Sequence, residues 1–224
     1  MVIALIALWS YLSVMYSDDP NKPHERVTMA KIKKELLETT ETPLPYGVSI
    51  FGNYNENFSV YSLDNSNLKL QHYGVKLDYQ LYQLVNIYFR ASESILSGNI
   101  NGENEKYTGE TFSIGSLVSY NYKSLYYGKD VYASYSHFRN TDDFYRLVYA
   151  PRLGYITKSK KFKIWGGLSI GYQNHEFDLD SHFIFVPSLG MEYQFTPSFI
   201  VLGEVYTQGP EDLTGVTVKT TYRF

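Results

Sequence analysis

Asp178, Asp180 and His182 stand at alternate positions in this chain, and Asp142 and Asp143 form a second acidic pair upstream of them. Paired carboxylates with an Asp-His dyad can activate water for hydrolysis, one carboxylate orienting the imidazole while the imidazole takes the proton. Glu103 and Glu105 make a further, looser acidic spacing. The run Tyr135-Ser136-His137-Phe138-Arg139-Asn140 offers a histidine beside a serine, the residue types of an activated nucleophile. In an extended strand, however, adjacent side chains point to opposite faces, so Ser136 leaves the face that His137 occupies. No glycine-rich phosphate loop, nucleophile elbow or paired-histidine metal spacing occurs elsewhere. Acidic loop residues are most often simply solvated, and these clusters matter only if the fold brings them together.

The elements that would position them are strands. The chain has 224 residues, 44% of them hydrophobic and 17% aromatic, with 23 Tyr against 2 Trp. That length fits one barrel-sized domain, and the composition is too apolar for disorder. Tyrosine suits strands, and its apolar ring with a polar tip suits a boundary between hydrocarbon and water. A formal net charge of -3, with no basic stripe carrying interleaved aromatics, gives no support to nucleic-acid binding. The absence of cysteine excludes disulfides, thiolate metal sites and a cysteine nucleophile.

Three segments follow one another. Residues 1–17 hold a nearly continuous apolar run, Val2 to Trp9, too short for a membrane-spanning helix of about 20 apolar residues and closer to a secretory signal or an anchor. Residues 18–45 carry four of the eight prolines and a charged patch at Lys31-Ile32-Lys33-Lys34-Glu35. The spacing of Met29, Ile32, Leu36 and Leu37 predicts a short amphipathic helix there, followed by a linker. Residues 46–224 show ten stretches of period-two character, at 46–61, 68–80, 84–96, 110–122, 129–138, 145–157, 161–173, 183–195, 198–207 and 213–224. Pro151 and Pro187 fall inside two of them, where a missing ladder donor weakens the strand. Connections alternate between short ones (Thr196-Pro197, 157–161, 123–128, 81–83) and longer or more polar ones (97–109, 174–182, 208–212). An even strand number with short turns on one side and longer loops on the other is the pattern of a transmembrane barrel. The expected fold is therefore all-β: a single antiparallel up-and-down barrel of about ten strands, with eight or twelve also satisfying parity.

The stretch Val218-Lys219-Thr220-Thr221-Tyr222-Arg223-Phe224, the turn Gln194-Phe195-Thr196-Pro197-Ser198 and the segment Leu202-Gly203-Glu204-Val205-Tyr206 resemble the small bacterial outer-membrane β-barrel and porin-like proteins. The resemblance covers about the last 65 residues by sequence and the rest by pattern. It implies a Gram-negative-type outer membrane, with its lipids and lipopolysaccharide as surroundings and both chain ends in the periplasm. It also implies recognition of the terminal aromatic alternation, Val218, Tyr222 and Phe224, by the outer-membrane barrel assembly machinery. Within that superfamily, the Asp178-Asp180-His182 string is faintly similar to that of the omptin proteases, whose other acidic pair has no firm counterpart here. The His137 segment is similar to the His-x-Ser-Asn stretch of lipid A deacylases, but Arg139 stands where that family has its serine.

Setting the apolar positions outward directs Lys76, Asp78, Arg90, Arg146, Arg152, Lys163, Glu192, Glu204, Lys219 and Arg223 inward. Such a lumen is either an ion-paired structural core or a narrow passage whose basic excess concentrates anions. Ten strands lie well below the roughly 16 to 18 of porins with open channels, so diffusion of large solutes is not expected. The functional expectation is a non-enzymatic barrel with a structural or narrow, weakly anion-preferring role and no cofactor or metal. The alternatives are a surface-binding, adhesin-like barrel, a rim hydrolase, and a soluble lipocalin-like binder with the apolar face inward.

Overall fold

A computed structural model describes residues 44–58, 68–82, 84–100, 103–139, 143–175, 178–207 and 215–224. The apolar run, the amphipathic stretch and the linker of residues 1–43 lie outside them. Ten strands follow in order: β1 Tyr46–Phe58, β2 Leu68–Tyr82, β3 Val85–Ile100, β4 Glu103–Tyr122, β5 Leu125–Phe138, β6 Phe144–Ile156, β7 Phe162–His175, β8 Asp178–Gln194, β9 Phe199–Tyr206 and β10 Gly215–Arg223. Each pairs antiparallel with its neighbours, and β1 pairs with β10 from Gly47 opposite Arg223 to Asn55 opposite Gly215, which closes the barrel. Closure gives every strand a hydrogen-bonded neighbour on both sides, the condition for a strand-built structure in lipid.

The alternation sets the two surfaces. Tyr73, Val75, Leu77 and Tyr79 of β2 point outward and are exposed, while Lys76 and Asp78 between them are buried inside. The same holds on β6, where Tyr145, Leu147, Tyr149, Leu153 and Tyr155 are exposed and Val148, Ala150 and Ile156 are buried. A water-soluble barrel would have this pattern reversed, which removes the lipocalin-like alternative. Aromatic rings gather toward both rims. Tyr46 stacks on Phe224 at 5.9 Å and meets Tyr79 in a tilted contact at 5.3 Å, and Phe195 contacts Tyr193 and Phe199, at the rim that carries Tyr46 and Phe224. Tyr135 and Tyr145 pair at 4.9 Å toward the opposite, far rim. An outward apolar band between aromatic girdles is the outer surface of a transmembrane barrel.

Turns on the Tyr46 rim are tight. Lys123 adopts φ 54° in the two-residue connection between β4 and β5, and Lys160 adopts φ 58° between β6 and β7. At the far rim the strands run further than the alternation alone predicts. The expected loop at 97–109 is a β3–β4 hairpin, because Leu96 pairs with Tyr107 and Ser97 with Lys106. Its exposed positions Asn104, Lys106 and Thr108 are polar and its other face carries Glu105, so no apolar alternation marked it as strand. The first pairing of β4 with β5 is Gly109 with Phe138, so the hairpin projects past β5. β7 and β8 likewise extend to His175 and back to Asp178.

Both prolines are accommodated. The β6–β7 ladder is interrupted at Ala150 and Pro151 and resumes in the same register at Arg152 opposite Gly167. The β8–β9 ladder starts at Ser188, one residue after Pro187, whose own carbonyl accepts from the Thr207 amide. Pro151 thus falls at the gap in its ladder, where its missing donor is lost, and Pro187 falls one residue outside the β8–β9 ladder.

Candidate functional site

The lumen is the site these strands enclose. Below the level of Leu70 and Phe144, the described residues place seven cationic side chains on the inner face: Lys76, Arg90, Arg146, Arg152, Lys163, Lys219 and Arg223. Four carboxylates face them, Asp78, Asp130, Glu192 and Glu204, an excess of three positive charges. Lys163 Nζ lies 2.6 Å from Glu192 Oε1, and Arg223 donates to Asp78 at 3.0 Å, with Asn86 Nδ2 donating to the same oxygen at 2.9 Å. Arg152 is shared between Glu204 at 3.3 Å and Asp130 at 4.0 Å. Asp130 also faces Arg90 at 3.7 Å and accepts from the Tyr88 hydroxyl at 2.6 Å. Lys76 and Arg90 both lie over the Tyr88 ring, 4.3 and 4.5 Å from its centroid. That ring comes in against Gly115, where a Cβ would sit 2.5 Å from it.

Between these pairs is a chamber of about 240 Å³ in the middle of the barrel. Among the described residues, Lys76, Arg90, Arg146, Arg152 and Lys219 line it, together with the carboxylates of Asp130 and Glu204. Hydroxyls complete the wall. A chain of hydrogen bonds runs around it from His72 Nδ1 to Ser94 at 2.7 Å, Ser94 to Thr111 at 2.7 Å and Thr111 to Ser136 at 2.8 Å, crossing four strands.

Two plugs bound the chamber. Toward the far rim, Leu68, Leu70, Leu96, Phe138 and Phe144 form a fully buried apolar cluster, with Tyr107 of the β3–β4 hairpin packed on it and the two phenylalanines stacked at 5.6 Å. They share strand parity with Lys76, Arg90, Asp130 and Arg146, so the cluster lies inside the barrel. Toward the Tyr46 rim, Tyr126, Ile156, Trp165 and Leu202 pack together beside the Lys163–Glu192 pair. Trp165 fits because Gly190 opposite it has no side chain: a Cβ there would lie 2.4 Å from the indole.

The far rim holds the residues suited to hydrolysis. His137 Nδ1 is 2.5 Å from Asp143 Oδ1, with His137 exposed, and the Tyr135 hydroxyl donates to Oδ2 of the same carboxylate. Ser136 points the other way, buried in the lumen wall. The side chains of Asp178, Asp180 and His182 lie outside those described, as does Asp142. Among the described residues no cluster of His, Asp or Glu is arranged to hold a metal. Glu93 stands opposite Glu110, and Glu110 opposite His137, on the outer face.

Sequence reasoning missed Asp130, the carboxylate at the centre of the lumen network. Its parity with Ser134 and Ser136 was the signal available. It also missed the far-rim apolar cluster, since apolar positions had been directed outward. Lys129 faces outward by register, between Tyr127 and Val131, with its ammonium 5.5 Å from the Tyr127 ring. Val218, Tyr222 and Phe224 are all exposed on the outer surface.

No protein-family model matches the chain, and no curated protein matches it. Among solved structures it is similar to the translocator domain of the autotransporter NalP from Neisseria meningitidis, at 10% identity and a TM-score of 0.50, over 87% of this chain and 93% of that one. It is also similar to the β domain of the Bordetella autotransporter Brka, at 9% identity and a TM-score of 0.52, over 80% of this chain and 99% of that one. At such identities the likeness is one of fold: a closed antiparallel β-barrel.

Proposed function

We propose that this barrel is a non-enzymatic protein of the bacterial outer membrane whose lumen forms a narrow, anion-preferring passage, constricted by the apolar cluster at its far rim. The observation behind this reading is the excess of cationic over anionic side chains facing the lumen. A low-dielectric wall focuses that charge, concentrating anions and repelling cations. In this reading the rim with Tyr46 and Phe224 faces the periplasm, lipid and lipopolysaccharide surround the apolar band, and the outward row Val218, Tyr222 and Phe224 is what the assembly machinery engages. The similar structures named above belong to autotransporters, one of them as a translocator domain, but a chamber of about 240 Å³ between two plugs is far too small for a polypeptide in transit.

The test is single-channel conductance of the refolded protein in a planar bilayer, with the reversal potential taken across a salt gradient. Small steps with an anion-shifted reversal potential are expected. Insertion with no conductance, or with cation preference, would overturn the passage. A second reading, binding at the cell surface, draws on the β3–β4 hairpin, whose strand Glu103–Tyr122 projects beyond β5. Removing that hairpin's tip would leave conductance intact while abolishing surface binding.

A further inference from the structure

Among the described residues, the chamber's charge is out of balance in a way that calls for a ligand. Of the cations lining it, Arg90 and Arg152 share Asp130 and Glu204. Lys76 reaches Asp78 only at 4.0 Å, and that carboxylate is already held by Arg223 at 3.0 Å. Lys219 enters no ion pair and no hydrogen bond among the described residues. The buried Arg152 Nε also has no acceptor there. Uncompensated charge inside a low-dielectric wall is costly, so a mobile counter-anion is strongly drawn in.

The geometry identifies where and what. Lys76 stands directly opposite Arg90 across β2 and β3, and Lys219 faces the same space one strand beyond β1. Ser113 and Ser134 add hydroxyls to the wall. A volume of about 240 Å³ is roughly that of eight waters and falls below the range of ordinary organic-ligand pockets, about 300 Å³ and upward. Ammonium, guanidinium and hydroxyl donors converging on a small space suit an ion with several acceptor oxygens, since guanidinium matches oxyanions in a fork.

We propose that the chamber is a binding site for a small inorganic oxyanion of the phosphate or sulfate class, held between Lys219, Lys76 and Arg90. This deepens the reading of the lumen as an anion passage, on which it rests for access. The experiment is isothermal titration of inorganic phosphate into the full-length, detergent-folded barrel in a buffer whose only other anion is large and organic. Wild type and Lys219→Arg are expected to saturate one site, and Lys219→Gln to bind at least about tenfold more weakly. Folding of each variant is checked by its heat-dependent mobility in gels. No saturable binding by folded wild type, or equal binding by folded Lys219→Gln, overturns the site. Bilayer conductance on the same preparations separates the two ideas: phosphate binding without conductance leaves the site and removes the passage, whereas anion-selective conductance without phosphate binding does the reverse.

Discussion

Asp130 shows how one side chain can organise a lumen. It lies between Arg90 and Arg152 and accepts from Tyr88, so three strands of the wall depend on one carboxylate. Replacing a buried partner leaves the opposing charges without compensation, which typically costs about 3–5 kcal/mol. Asp130→Asn is nearly isosteric and keeps an acceptor for Tyr88, so its cost reports the charge alone. It should lower the unfolding free energy of the detergent-folded barrel, taken from guanidinium titration, by an amount in that range, and an unchanged free energy would show the pairs to be energetically idle. His137 and Asp143 form an equally well-made pair outside the lumen, while Ser136, the serine beside His137 in sequence, is on the opposite face.

Among the elements, the β3–β4 hairpin and the ends of β2, β5 and β6 matter most, because together they place the far-rim cluster. Apolar walls in a narrow pore expel water, and ions do not cross a dewetted stretch. Replacing Phe138 and Phe144 with serine wets that stretch while leaving the outer surface untouched. The double variant should conduct in steps several-fold larger than wild type in a planar bilayer. If the steps stay the same, the resistance lies at the Tyr46 rim, where Tyr126, Trp165 and the Lys163–Glu192 pair form the other plug. The projecting part of the hairpin was hidden in the sequence for a physical reason: polar residues on both faces erase the period-two signal even though backbone pairing continues.

For the whole molecule, the decisive property is which surface meets which medium. Ile114 is exposed, outward-facing and midway along the paired length of β4, between Phe89 on β3 and Ala133 on β5. Arginine at such a position costs about 2–4 kcal/mol if the surface is in hydrocarbon and almost nothing if it is in water. Unfolding Ile114→Arg in lipid vesicles should therefore show that loss, and a neutral result would contradict membrane insertion. Strand number, antiparallel order and the split between apolar outer and charged inner faces were all legible in the sequence, because each follows from local alternation and turn spacing that any single strand displays. The inward positions of Lys76, Arg90 and Arg152 follow from the same parity. What alternation does not carry is the meeting of strands distant in sequence: Asp130 between Arg90 and Arg152, the apolar cluster drawn from four strands or more, and Lys219 beside Lys76 with no carboxylate of its own among the described residues. Those depend on the register and closure of the whole barrel, which fix which side chains stand at the same depth, and only the tertiary structure decided them.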